Sequence, residues 1–327
     1  MVQITQPNRN REDKEALLAN IALLYYGEGL TQSEIAKRMQ VSRATIVNLL
    51  RESRERGIVE IRVDGKHLSS SNLARDLRDK FGLQDVYIAT ADNRDSVQDR
   101  AGLLAHVSRV GAAAFLDIVA PGDRVGVAWG ETIMAVSDVM APSSTERVQV
   151  CQLIGSMNSV RVPTSENCAI QIAGKIGAEC YTLHAPGVVA SPELAEVFRN
   201  EPTIREQLSR LDDLDMIVAS VGNVSPDTHL KVAGMATTQE LQAARKLGAK
   251  GIICCRFIDA DGQGIETAPD DRVIAANLAN LRKPKKKLLV VCGANRTEAT
   301  LASLRGDLVT HLCVDQVLAM ELLQSAP

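Results

Sequence analysis

Apolar residues in the first sixty positions recur at helical spacing in three consecutive runs. The first, residues 11–28 (REDKEALLANIALLYYGE), places Leu17, Leu18, Ile21, Leu24 and Tyr25 on one face, as an amphipathic helix requires. The next run, LTQSEIAKRMQVSRATIVNLLRESRERGIVEIRV over 30–63, carries two helix starts. Thr31 stands three residues before Glu34, a capping-box spacing, and Ser42 directly precedes RATIVNLLRES, a second N-cap signal. Between them lies the break Gln40-Val41-Ser42. Ile35, Ala36, Met39, Val41, Ile46 and Leu49 fall where two crossed helices pack on each other, so the spacing predicts a helix-turn-helix completed by the first helix. Gly57 ends the third run, and IVEIRVD reads as a short strand of a small wing. Residues 64–72 (DGKHLSSSN) are polar and Ser-rich, a linker composition.

From Leu73 the pattern changes to short apolar runs alternating with longer helical stretches. The strand candidates are 85–90, 124–129, 148–154, 180–185, 216–222, 251–257, 287–293 and 310–314. Helical patterns such as SVQDRAGLLAHVSRVGAAAFLDIV and ENCAIQIAGKIG lie between them. Strands that are apolar throughout suit a parallel sheet covered on both faces. The expected architecture is α/β: an N-terminal, winged-like helix-turn-helix over 1–63, the linker over 64–72, and a Rossmann-like doubly wound domain over 73–327.

Charge sharpens the picture of the first domain. The chain of 327 residues has a formal net charge of −3, yet residues 37–56 hold six Lys/Arg against two Glu. The outer face of the second crossed helix presents Arg43, Ala44, Thr45, Asn48 and Arg51, short or hydrogen-bonding side chains suited to a major groove. Arg43, Thr45 and Asn48 are the candidates for base edges. Ser42, Arg51 and Gln32 are the candidates for phosphate contacts. The run Lys283–Lys287 (KPKKK) reads as a solvated turn.

Composition bears on what else the chain can be. Apolar runs shorter than about 18 residues predict no membrane span, and MVQITQPNRNRED has no apolar stretch behind a basic one, so no signal peptide is expected. A cytoplasmic protein follows as the expectation. Seven cysteines occur without a CxxC pair or a Cys/His cluster, which predicts buried free thiols and no metal site. No catalytic set and no Walker loop stand out, so no catalytic residue and no cofactor are expected.

Ligands of open α/β sheets sit beyond the carboxyl ends of the strands. The leading candidate there is RVGVAWGETIMAVSDVM, in which Gly130-Glu131-Thr132 turns from a strand into a helix start suited to anions. Further strand ends offer Gly155, Ser156 and Asn158, then Gly222 and Asn223, then Gly293, Asn295 and Arg296, and finally Asp315. Arg296 could clamp a phosphate or carboxylate, and Asp315 could accept sugar hydroxyls.

The order of these features resembles the SorC/DeoR-type family of bacterial sugar-responsive transcription regulators. The resemblance is carried by LLYYGEGLTQSEIAKRMQVSRATIVNLLRESRERGIVEIRV, VGVAWGETI, LGAKGIICCRFIDADGQGI and VVCGANRTEATLASLRGDLVTHLCVDQVLAMELL, which together span nearly the whole chain. It implies a DNA reader joined to an effector domain similar to sugar-phosphate isomerases of the glucosamine-6-phosphate deaminase type. That domain would bind a sugar, polyol or phosphosugar without turnover, in a homodimer or homotetramer on operator DNA. The alternative is a sugar-phosphate isomerase or deaminase with a DNA-binding appendage, for which only Glu131 or Asp315 offers a general base. The family's phosphate-cradling turn matches Gly130, Glu131 and Thr132. Its later positions match Gly155, Asn167, Arg296 (usually Lys) and Asp315. This chain departs from the family's Gly-Asp-Ile-X-Gly at Gly251-Ile252-Ile253-Cys254-Cys255, from its Gly-Gly pair at Gly293-Ala294, and from its Asp-Glu pair at Asp315-Gln316.

Overall fold

The computed structural model describes residues 9–59, 61, 71–90, 100–157, 163–226, 228–267 and 270–325. Its contacts divide the chain into two compact units, Met1–Arg62 and Val63–Pro327.

The first unit is built from α1 (Arg9–Ala22), α2 (Gln32–Met39) and α3 (Arg43–Glu55), with a π-helical turn over Leu23–Gly27 closing α1. Ile21, Ile35, Ala36, Ile46 and Leu50 form its core, with Leu24, Tyr25, Met39 and Leu49 packed at the edge. Val41, expected inside, is 41% exposed, because the turn that holds it points it outward, and Leu50 rather than Leu49 fills the centre. Both predicted caps are made. Thr31 Oγ1 accepts from the Glu34 N–H at 3.3 Å, while the Thr31 N–H donates to Glu34 Oε2 at 2.8 Å. Ser42 Oγ accepts from the Thr45 N–H at 3.0 Å. The backbone and hydroxyl of Thr31 hold the Glu34 carboxyl below its ordinary pKa. Lys14 and Arg56 do the same for Glu52, reaching it at 2.7 and 2.6 Å and tying α1 to α3.

Two expectations at the end of this unit change. The N–H groups of Ile58 and Val59 both donate to Ser53 O, so these residues close the C-terminus of α3 rather than begin a strand. Of the rest of the proposed wing only Ile61 is described, outside any strand, and most of 64–72 lies outside the described residues. Ser71 and Asn72, read as linker, begin a helix instead: Ser71 Oγ caps α4 (Asn72–Phe81) through the Ala74 N–H.

The second unit continues in chain order with β1 (Asp85–Ala89), α5 (Arg100–Ile118), β2 (Arg124–Val127), α6 (Glu131–Val139), β3 (Gln149–Gln152), α7 (Ser165–Ile176) and β4 (Glu179–Tyr181). There follow α8 (Pro192–Asn200), α9 (Pro202–Arg210), β5 (Met216–Ala219), α10 (His229–Val232), α11 (Thr238–Lys246), and the short strands β6 (Gly251–Ile253) and β7 (Arg256–Ile258). The unit ends with α12 (Leu278–Arg282), β8 (Lys286–Val291), α13 (Thr297–Arg305), β9 (His311–Asp315) and α14 (Gln316–Gln324).

Seven strands form one parallel sheet in the order β1-β9-β8-β5-β2-β3-β4, with Asp85 opposite His311 and Val125 opposite Met216. Side chains along each strand alternate between two buried faces, so the sequence shows no polar alternation. Tyr87, Val127, Val218, Val290 and Cys313 face α5, α6 and α7, where Phe115, Ile133 and Ile172 meet them. Val86, Ile217, Leu289, Val291 and Leu312 face the opposite layer, supplied by Leu77, Leu241, Ala302 and Leu318. The 19-residue helix α5 has the length and mean hydropathy to cross a membrane, contrary to the shorter run expected. Its Val107, Ala114 and Phe115 are instead fully buried against the sheet.

Two further readings are corrected. The run 251–257 is not a sheet strand: β6 and β7 form a separate antiparallel hairpin that turns at Cys254-Cys255. The KPKKK run is not simply a solvated turn either. Lys286 pairs with Asp123 at 2.7 Å, and Lys283 with Asp213 at 3.1 Å. Lys287, only 3% exposed, donates to Asp307 Oδ1 and O and to Arg282 O at 2.7, 2.9 and 3.0 Å.

Candidate effector pocket and nucleic-acid face

The chain leaves β2 toward β3 and β4 on one side, and leaves β5 toward β8, β9 and β1 on the other. β2 and β5 are neighbours, so the winding direction reverses between them and a crevice opens at their carboxyl ends. A cleft lies there. Ala128 to Thr132 line it after β2, Ser220 to Gly222 after β5, and Arg296 after β8. Thr228 and His229, at the start of α10, and the Cys254-Cys255 turn complete it.

Helix α6 starts in this cleft without a side-chain cap. Gly130 occupies the N-cap with φ 116° and ψ 172°, a conformation open essentially to glycine alone. With no side chain there, the first-turn N–H groups and the positive end of the helix are left to a ligand. Thr132 is 9% exposed and lines the same wall. Glu131 reaches across to Arg100, whose Nη2 donates to its Oε2 at 2.7 Å, and His229 Nε2 lies 3.7 Å from the same oxygen. Arg296 Nη1 donates to Val221 O at 2.5 Å, binding the loop after β8 to the loop after β5. The site therefore combines cationic groups, hydroxyls and helix-end donors, with one carboxylate at its rim.

Gly130, Glu131, Thr132 and Arg296 thus come together, whereas the other three expected effector residues do not. A Cβ on Gly155 would lie 2.5 Å from Ala185 O and 2.7 Å from Pro186 O, so this glycine serves a close backbone crossing. Asn167 is exposed in the first turn of α7, where its N–H is capped by Thr164 Oγ1 at 3.3 Å. Asp315 is 1% exposed, and both of its carboxylate oxygens are engaged by backbone. They accept from the Gly293 N–H at 2.7 Å and from the Leu318 N–H at 3.0 Å, so Asp315 fixes a turn and caps α14 rather than meeting sugar hydroxyls. Of the lesser loop candidates, Ser156, Asn223 and Asn295 are not among the lining residues, Asn223 donates to Asn295 O at 3.3 Å, and Asn158 lies outside the described residues.

Arg100, Thr228 and His229 were not anticipated. The first precedes Glu131 by 31 residues, and the other two follow a glycine loop with no strong motif. The N-cap role of Asp315 was legible, since an Asp immediately before QVLAMELL is a helix-start signal.

The seven cysteines are free. Burial pushes the Cys151 and Cys292 thiols up to about 11 and those of Cys168 and Cys254 to about 12, which keeps them protonated. Among the described residues no group of three or more His, Cys, Asp or Glu is placed to hold a metal.

On the first unit, Arg43, Ala44, Thr45, Asn48 and Arg51 are all exposed on one face of α3. Their polar atoms are held by one another and by α2. Arg43 Nε donates to Gln32 Oε1 at 3.3 Å, Arg51 Nη2 donates to Asn48 Oδ1 at 3.2 Å, and Ser42 Oγ and Thr45 Oγ1 are 2.8 Å apart. These local bonds orient the side chains on a surface of positive charge. The turn before them has Gln40 in the left-handed region, φ 54°, where glycine would be unstrained.

Comparison with known proteins agrees with both units. Residues 66–324 match the Sugar-bind family, described as a sugar-binding domain, and residues 21–67 match a MarR family model. The chain belongs to the Sugar-bind family of SorC/DeoR-type transcription regulators. It is 38% identical over 294 residues to the transcriptional regulator YjhU of Escherichia coli, covering 90% of each chain. It is 29% identical to the deoxyribonucleoside regulator of Bacillus subtilis, covering 93% of this chain and 96% of that one. The crystal structure of the full-length sorbitol operon regulator SorC from Klebsiella pneumoniae superposes with a TM-score of 0.74. That match covers 94% of this chain and 98% of SorC at 24% identity, and it supports the fold.

Proposed function

We propose that this family member binds operator DNA through α2 and α3, and that a sugar, polyol or phosphosugar in the β2/β5 cleft sets its operator affinity. The carrying observation is the cleft itself. It lies at the reversal point of the sheet, with the uncapped start of α6 and Arg296 both lining it. An anionic group would sit at the helix start, with hydroxyls toward Thr132, Ser220 and Thr228. The names of relatives point the same way: one is a deoxyribonucleoside regulator and another, 24% identical, a sorbitol operon regulator. The reader is the N-terminal unit, ending near residue 63, and the remainder serves effector binding and assembly as a homodimer or homotetramer. Two reader helices would then meet successive major-groove faces one DNA turn, or a multiple, apart. The effector acts by binding the operator-competent and incompetent arrangements unequally.

The test is fluorescence anisotropy with DNA from upstream of the chain's own gene, over a range of salt. Arg43→Ala and Asn48→Ala each weaken binding by about 1–3 kcal/mol if they read bases. Native affinity in both variants would refute the assignment of the reader face.

A further inference from the structure

We infer that Cys254 and Cys255 contact the effector and determine which sugar the cleft accepts; this rests on the effector role proposed above for the same cleft. Both residues line the cleft. Both also have left-handed backbone, φ 47° and 63°, at the two central positions of the β6–β7 turn. A two-residue hairpin turn with both φ values positive strongly favours Asn-Gly or Gly-Gly, and an L side chain carries a conformational penalty at each position. The chain nevertheless places a side chain at both, and strained backbone of this kind concentrates at ligand sites.

The surroundings indicate what the thiols do. Cys255 Sγ donates to Met235 Sδ at 3.9 Å, and Trp129, the residue before Gly130, lines the same cleft. Gly222 and Ile252 exchange both backbone hydrogen bonds at 2.8 Å, which fixes the hairpin against the loop after β5. Together with Ile252 the two cysteines line the cleft as an apolar, polarisable wall, distinct from the donors of Thr132 and Arg296. Cys254 and Cys255 are 4% and 2% exposed, so they act through contact and shape. A ligand hydroxyl pressed against this wall would lose its water partners without a strong replacement.

The experiment compares the native chain with C254N/C255G, which relieves the turn, and with C254S/C255S, which keeps the strained backbone but exchanges thiol for hydroxyl. The probes are glucose 6-phosphate, fructose 6-phosphate, ribose 5-phosphate and sorbitol, followed by thermal shift and calorimetric titration. Without ligand, C254N/C255G loses the strain of the turn but gains a buried amide, so its melting temperature serves only to show that it is folded. This variant is expected to bind the best native probe at least about tenfold more weakly, and C254S/C255S to change the order of preference among the probes. Binding within about twofold of native in both variants overturns the inference alone. If the native chain binds none of the probes, the effector reading falls and the inference falls with it.

Discussion

Helices α3 and α6 both begin at surfaces with a proposed partner, but their starts are built differently. Ser42 caps α3 with its own side chain, and a web of side-chain hydrogen bonds joins Gln32 to Arg43 and Asn48 to Arg51. At α6, Gly130 supplies no cap, and its backbone takes a conformation that only glycine tolerates well. Helix α3, the proposed reader, is complete by itself, so its surface is preformed and binding would add contacts to an existing shape. Helix α6 has no side-chain cap on its end donors, so a ligand bound there would alter the energetics of the fold around it. A preformed reader and an unfinished effector site in one chain are what a ligand-controlled DNA binder needs.

Substitutions can break or sharpen that contrast. The largest effect is expected from Gly130→Ala. No atom lies within 4 Å of the added Cβ, so any cost arises from the backbone and amounts to about 1–3 kcal/mol. Chemical denaturation should show that loss in the second unit, together with loss of ligand-induced thermal shift, while operator binding without ligand is retained. Ser42→Ala should destabilise the first unit by about 1 kcal/mol through loss of its cap, seen as an earlier melting step and weaker operator binding. The smallest effect runs the other way. Gln40→Gly relieves a left-handed, exposed residue and should stabilise the first unit by about 0.5–1 kcal/mol, leaving the orientation of α3 and operator affinity unchanged.

The first unit was largely legible because its signals are local. Thr31, Glu34 and Ser42 announce helix starts within a few residues, and Ile35, Ala36 and Ile46 mark the packed face. The sheet was legible as apolar runs, but its order was not, since strand pairing is decided by contacts distant in sequence. GIICCRF shows the limit: its apolar residues match those of a buried strand, and nothing in Cys254-Cys255 signals the left-handed turn that makes it a hairpin. The same limit governed the pocket. Gly130 and Thr132 lie in one contiguous turn and were found together, whereas Arg100 and His229 arrive from separate elements. Gly155 and Asp315 were placed at strand ends, as expected, but one serves a backbone crossing and the other a pair of backbone N–H groups. A residue type at a strand end does not distinguish a ligand contact from a structural bond.

The central claim is that the cleft and the reader face are energetically coupled. Its most direct test is the operator affinity of the native chain measured with and without a phosphosugar that raises its melting temperature. Coupling of about 1–3 kcal/mol, a change of roughly 5–150-fold in operator affinity, is the predicted result, and it should disappear in Thr132→Val. A ligand that stabilises the native chain through this cleft yet leaves operator affinity unchanged would contradict the account.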